Sequence, residues 1–152
     1  VGRGDPQDPL GAFGQAAVSA FVDTNILVRH LTGDPPAMAA RATAYLASAD
    51  ELYLPDLIVA ETVYVLESYY EVPRPQVAMA MRSLIAFDAI ATVDPALLLR
   101  AIEVYEIDRL DFADAYLVAC AESTGVSSVA SFDKSIDRVK TIERIEPPRT
   151  PK

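Results

Sequence analysis

Two kinds of apolar spacing alternate along the chain. Compact apolar runs occur at 19–23 ("SAFVD"), 51–55 ("ELYLP"), 89–93 ("AIATV"), 127–132 ("SSVASF") and 141–145 ("TIERI"). Each is short enough to be a strand of a buried sheet. Between them lie longer segments with helical periodicity: "NILVRHL" at 25–31, "MAARATAYLASA" at 38–49, "LIVAETVYVLESYY" at 57–70, "RPQVAMAMRSLIAF" at 74–87, "ALLLRAIEVYE" at 96–106 and "DFADAYLVACAEST" at 111–124. Punctuation agrees with this division. Asp94-Pro95 reads as an N-cap followed by proline at the first helical position. Asp56, after Pro55, reads as a cap for the helix behind it. Gly125 is placed to end the last long helix. Strands alternating with helices predict an α/β domain with a mainly parallel sheet, whose ligands bind beyond the carboxyl ends of the strands.

Four carboxylates interrupt this pattern. Asp23 follows "AFV" directly, and Asp133 follows "SVASF" directly. Glu61 has Leu57, Ile58, Tyr64 and Val65 at its helical neighbour positions, and Asp114 has Leu110, Leu117 and Val118. These spacings put two acids at strand ends and two on apolar helix faces. An ionised group in such a place must be paired or bound to a cation. Taken singly, Glu61 pairing with Arg29 or Arg100, or Asp114 complementing a helix dipole, would explain each. One cation site explains all four together. Asp111 reads as an N-cap or as an auxiliary acid. Glu67, Asp88, Asp108 and Asp137 read as solvated surface.

Composition narrows the chemistry. The 152 residues are 51% hydrophobic, enough for one domain with a sizeable core. Cys120 is the single cysteine, so a disulfide framework and a thiolate zinc site are excluded, and it reads as a small core residue. His30 is the single histidine, which removes multi-histidine metal sites. Carboxylates without clustered His or Cys suit hard cations, Mg²⁺ or Mn²⁺. Such ions bridge to phosphate oxygens, which points to phosphodiester hydrolysis. There is no G-x-S-x-G, P-loop or G-x-G-x-x-G. The formal net charge of −9 is opposite to that of a typical nucleic-acid binder, and a bound cation helps such a chain receive an anionic substrate. No apolar run reaches the ~20 residues of a membrane span. The cytoplasm is the expected compartment, residues 1–18 read as a disordered N-terminal arm, and 147–152 read as a C-terminal tail.

"FVDTNILV", Glu61 within "VAETVYVL", "DFADAYLVACAE" and "SVASFDK", in this order, resemble the PIN (PilT N-terminus) domain, and more narrowly a VapC-like toxin ribonuclease of a type II toxin–antitoxin system. The resemblance implies a three-layer α/β/α sandwich over residues 19–146 with a central, mainly parallel sheet. It implies Mg²⁺ or Mn²⁺ held by Asp23 and Asp114, with Glu61 holding or activating the attacking water. Asp133 would complete the shell or bind a second ion, and Asn25 and Ser131 would orient the carboxylates. The expected activity is endonucleolytic RNA cleavage leaving a 5′-phosphate and a 3′-hydroxyl. The expected partners are RNA, a VapB-like antitoxin and a second copy of the chain. A PIN nuclease of RNA processing and a non-catalytic PIN assembly module are the competing readings. Arg29, Arg82 and Lys134 are the basic candidates for contacting RNA.

Overall fold

The computed structural model describes residues 19–151. The arm at 1–18 lies outside the described residues, and 147–151 carry no helix or strand. The elements follow in the order β1 (Ser19–Phe21), α1 (Thr24–Thr32), α2 (Pro36–Ser48), β2 (Glu51–Tyr53), α3 (Asp56–Ser68), α4 (Arg74–Ile85), β3 (Ile90–Ala91), α5 (Pro95–Glu103), α6 (Phe112–Thr124), β4 (Ser128–Ala130) and β5 (Glu143–Ile145). Between α5 and α6 lies a π-helical turn, Val104–Asp108, and between β4 and β5 a 3₁₀ turn, Lys134–Arg138. The alternation expected from the apolar spacing is therefore present, as an α/β fold with helices packed on parallel strands.

Among the described residues all strand pairs are parallel, as expected, and they fall into two ladders. β1, β2 and β3 pair in that order, and β4 pairs with β5. The strands are shorter than their apolar runs, and after β1 and β2 the ends of those runs turn away to start helices. Val22 still donates to the Tyr53 carbonyl at 3.0 Å, so the first ladder continues one residue past β1 before Asp23 caps α1. Ser131 likewise donates to the Ile145 carbonyl at 3.0 Å before the chain enters the 3₁₀ turn. One contiguous core, including Leu27, Leu52, Val63, Ile102, Val118 and Val129, joins the helices to both ladders.

Several local expectations are corrected. Asp56 does not cap α3: Pro55 holds the cap position, and Asp56 instead accepts the Tyr116 hydroxyl at 2.5 Å. α3 is apolar on most sides, so neighbour spacing alone does not identify its core face. That face carries Val59, Thr62, Val63 and Leu66, while Leu57 and Tyr64 are 76% and 67% exposed. Glu61 thus lies on an exposed face of the helix, not on its core stripe. Glu67 is not open surface; it is half-buried and accepts the hydroxyl of buried Tyr105. Cys120 is half-buried and not in the core.

The helix expected over 96–106 ends early for a visible reason. The Arg74 guanidinium donates to the carbonyls of Tyr105 (2.7 Å) and Leu110 (2.6 Å) and lies 4.4 Å from the centre of the Tyr105 ring. The backbone widens into the π turn at Val104–Asp108 and leaves it through Arg109 at φ 61°. This clamp sets where α6, and with it Asp114, begins. Gly125, at φ 73°, ends α6 as expected, and Asp94 caps α5 by accepting from Leu97 N at 3.0 Å.

Candidate functional site

Asp23 and Glu61 come together through Thr24. Asp23 is the N-cap of α1, and its Oδ1 accepts from Thr24 N at 2.8 Å. The Thr24 hydroxyl donates to Glu61 Oε2 at 2.7 Å. Thr24 is only 7% exposed, so its side chain cannot swing away without breaking the packing of α1 on α3. Both acids line a cleft of about 410 Å³ together with Asn25, Arg29, Asp34 and Tyr70. Asp34 accepts the Tyr70 hydroxyl at 3.0 Å, and Arg29 donates to the Asp34 carbonyl at 3.1 Å. Arg29 therefore does not neutralise Glu61, and neither does Arg100, which binds Glu122 through two 2.8 Å bonds.

Asp114 and Asp133 form a second pair, near enough for each to shift the other's ionisation. Burial pushes the Asp114 carboxyl up to about 6, helped by its hydrogen bond with Asp133 and by the charges of Asp133 and Asp111. Asp133 is held below the usual carboxylate range, chiefly by the Ser135 amide, which donates to its Oδ1 at 2.9 Å. Asp114 thus keeps its proton to a higher pH than its neighbour, which prefers to stay ionised. Asp133 N donates to Ser131 Oγ at 2.9 Å, so Ser131 fixes the backbone of the turn and not the carboxylate itself. Arg144 secures the same turn by donating to the Ser131 carbonyl (2.9 Å) and to both oxygens of Asp137 (3.0 and 3.2 Å). Asp137 is therefore engaged and not merely solvated.

Asp111 occupies the N-cap position of α6, but its side chain makes no capping bond. Its backbone turns the chain while its carboxylate adds to the potential at Asp114. Arg82 is occupied by Glu106 at 2.9 Å, and Lys134 opens the exposed 3₁₀ turn beside Asp133. Thr24, Asp34 and Tyr70 were not singled out from the sequence. For Thr24 the available signal was a small hydroxyl residue at the first helical position, directly after an acid.

Among the described residues, no three His, Cys, Asp or Glu side chains are grouped to hold a metal ion as they stand. The donors come in two pairs, and the second pair does not line the cleft that holds the first. In kind they suit a divalent cation. All are carboxylate oxygens, and the burial and neighbouring charge that raise Asp114 are what bound positive charge offsets. Among the described residues, no helix is long and apolar enough to cross a membrane.

Acids just past the carboxyl ends of parallel strands, in an α/β domain with a carboxylate-lined cleft, define a class of oxygen-donor sites suited to phosphodiester chemistry. The PIN domain family model matches residues 20–142, most of the chain, and the chain belongs to that family. No curated protein matches it. Membership implies nuclease-type activity: PIN domains are generally nucleases that act on RNA, typically with divalent metal ions.

Proposed function

We propose that the chain is a divalent-cation-dependent endoribonuclease in which Asp23 and Asp114 jointly hold Mg²⁺ or Mn²⁺. Glu61, steadied by Thr24, orients the attacking water, and Asp133 completes the acidic shell or serves a second ion. The observation that carries this reading is the Asp114–Asp133 pairing. A carboxyl kept up near 6 by burial and by another carboxylate is poised to exchange its proton for a cation. When bound, the ion supplies positive charge to the phosphodiester oxygens and lowers the pKa of water. The water oxygen bonds to phosphorus as the 3′-oxygen leaves, giving a 5′-phosphate and a 3′-hydroxyl.

The same reading gives the chain the role of toxin in a VapBC-type pair, working in the cytoplasm as a homodimer and silenced by a VapB-like antitoxin. The net charge of −9 and a cleft lined by Asp23, Asp34 and Glu61 favour an inhibitor that presents an arginine. The test is cleavage of total cellular RNA by the purified chain with Mn²⁺, Mg²⁺ or EDTA, with new 5′ ends mapped and Asp114→Asn run alongside. Discrete ends that require metal and Asp114 support the nuclease. No cleavage under any condition, or cleavage indifferent to EDTA, overturns it. Expression of the chain in cells, with and without a short adjoining reading frame, tests the toxin role separately: growth arrest that the reading frame relieves supports it, and growth unaffected by an active nuclease overturns it.

A further inference from the structure

The acids of the second pair belong to different elements, Asp114 to the first turn of α6 and Asp133 to the turn after β4. The segment that leads into α6 ties the two together. Arg109 in that segment has φ 61°, a left-handed conformation that a residue other than glycine keeps only where its surroundings impose it. Arg138, in the 3₁₀ turn behind Asp133, donates from Nη1 to the Arg109 carbonyl at 3.0 Å and reaches the Asp108 carbonyl at 3.5 Å. From α4, Arg74 takes the carbonyls of Tyr105 and Leu110. Both carriers of those carbonyls are anchored: Tyr105 is buried with its hydroxyl on Glu67, and Leu110 is fully buried. The turn that carries Arg138 is seated in the core by Ile136 and Val139. The use of these two arginines is telling in a chain with 22 acidic residues and 13 basic ones. Arg82, Arg100 and Arg144 each pair with a carboxylate. Among the described residues, Arg74 and Arg138 form no ion pair and bind backbone carbonyls of one short segment instead.

We infer that Arg138 is a positioning residue that braces the Asp133 turn against the strained entry to α6, and so sets the spacing of Asp114 and Asp133 for uptake of the cation; this rests on the cation-dependent nuclease reading. Arg74 holds the same entry from within the fold, so the brace works against a fixed segment. Arg138 itself is exposed, and its loss opens no cavity. Its effect is therefore confined to how two turns sit against each other. The Arg138 charge also acts on Asp133, behind the stronger hold of the Ser135 amide. Charge alone needs no bond to the Arg109 carbonyl, and a lysine separates the two contributions.

The experiment compares Arg138→Met, which keeps the aliphatic stem, and Arg138→Lys, which keeps the charge, with the parent chain. Arg149→Met, in the tail, controls for lost charge. Mn²⁺ affinity is read by calorimetry, and KM for RNA at saturating Mn²⁺. Amide exchange is followed without metal at Ala115, which donates to the Asp111 carbonyl at 2.8 Å, and at Ser135, which donates to Asp133 at 2.9 Å. These two amides report the two turns that carry the acids. The expected result for Arg138→Met is about tenfold weaker Mn²⁺ binding, faster exchange at both amides and an unchanged KM. Arg138→Lys recovers only part of the affinity, and Arg149→Met loses none. If the parent binds Mn²⁺ and Arg138→Met binds it equally well, the brace falls while the nuclease reading stands. Full recovery in Arg138→Lys makes charge the cause and overturns the brace. Unchanged Mn²⁺ affinity with a higher KM gives Arg138 to the RNA and also overturns it. Faster exchange throughout the fold, with a lowered melting temperature, reduces Arg138 to general stability and overturns it too. A parent chain that takes up no Mn²⁺ defeats the cation-dependent reading and the brace together.

Discussion

Asp23 and Glu61 are linked and steadied through Thr24, whereas Asp114 and Asp133 shift each other's ionisation in opposite directions. The first pair is organised by helix architecture: a cap position, the next residue's amide and one buried threonine. The second depends on a turn held from outside, by Ser131 and Arg144, against the first turn of α6. The contrast separates two tasks within one set of acids. The first pair is fixed in place by hydrogen bonds, which suits Glu61 to orienting water and Asp23 to meeting an ion from a set position. A repelling pair is suited to taking up a cation, because the ion removes the repulsion that the fold imposes.

The contrast makes predictions, of which removal of the repelling acid is the most damaging. Asp114→Asn lowers RNA cleavage by about a hundredfold or more, the scale of losing a group in direct chemical contact with the reaction. It leaves the metal-free domain at least as thermally stable as the parent, since a like-charge neighbour disappears. A thermal melt run beside the cleavage assay reads both effects. Thr24→Val comes next: without its hydroxyl, Glu61 loses its tether, and activity falls about tenfold, in the range of groups that orient ligands from behind. Thr24→Ser restores most of it, which a purely packing role for Thr24 does not allow. Arg144→Gln loosens the Asp133 turn and lowers metal affinity by a smaller factor, about threefold to tenfold, measurable by calorimetry with kcat at saturating metal nearly kept.

The smallest effects are in stability against pH, and here two carboxyls run in opposite directions. Asp114 is raised from 3.8 to about 6, so between those values the folded, metal-free chain holds more protons than the unfolded chain. Stability therefore falls as pH rises through that window, and Asp133→Asn flattens the slope. Glu122 is lowered, mainly by Arg100 and further by the Thr141 hydroxyl at 2.6 Å. Its pairing stabilises the fold above the ordinary glutamate pKa and is lost as pH drops through its own lower value. Glu122→Gln costs about 1 kcal/mol at neutral pH, and its melting curve converges with that of the parent in acid.

The order of elements was legible because apolar spacing, Asp94-Pro95 and Gly125 all report local backbone preferences. All four acids were visible as interruptions of that pattern, although the argument for Glu61 placed it on the wrong face of α3. A helix bearing Leu57, Val59, Val63, Tyr64 and Leu66 is apolar on more than one side, and only packing against other elements decides which side is buried. The π turn was hidden because the Arg74 side chain that binds it lies 30 residues before it in the chain. The raised pKa of Asp114 depends in part on a turn 19 residues further on. Local rules carry no record of such meetings.

The central claim is that one acid from each pair grips the same ion. Calorimetric titration of the metal-free chain with Mn²⁺, compared with Asp23→Asn and Asp114→Asn, tests it most directly. The account predicts tight binding by the parent and loss of at least about a hundredfold in affinity for each single variant. Binding that survives Asp23→Asn while vanishing in Asp114→Asn would show that the repelling pair holds the ion alone, and would contradict the shared site.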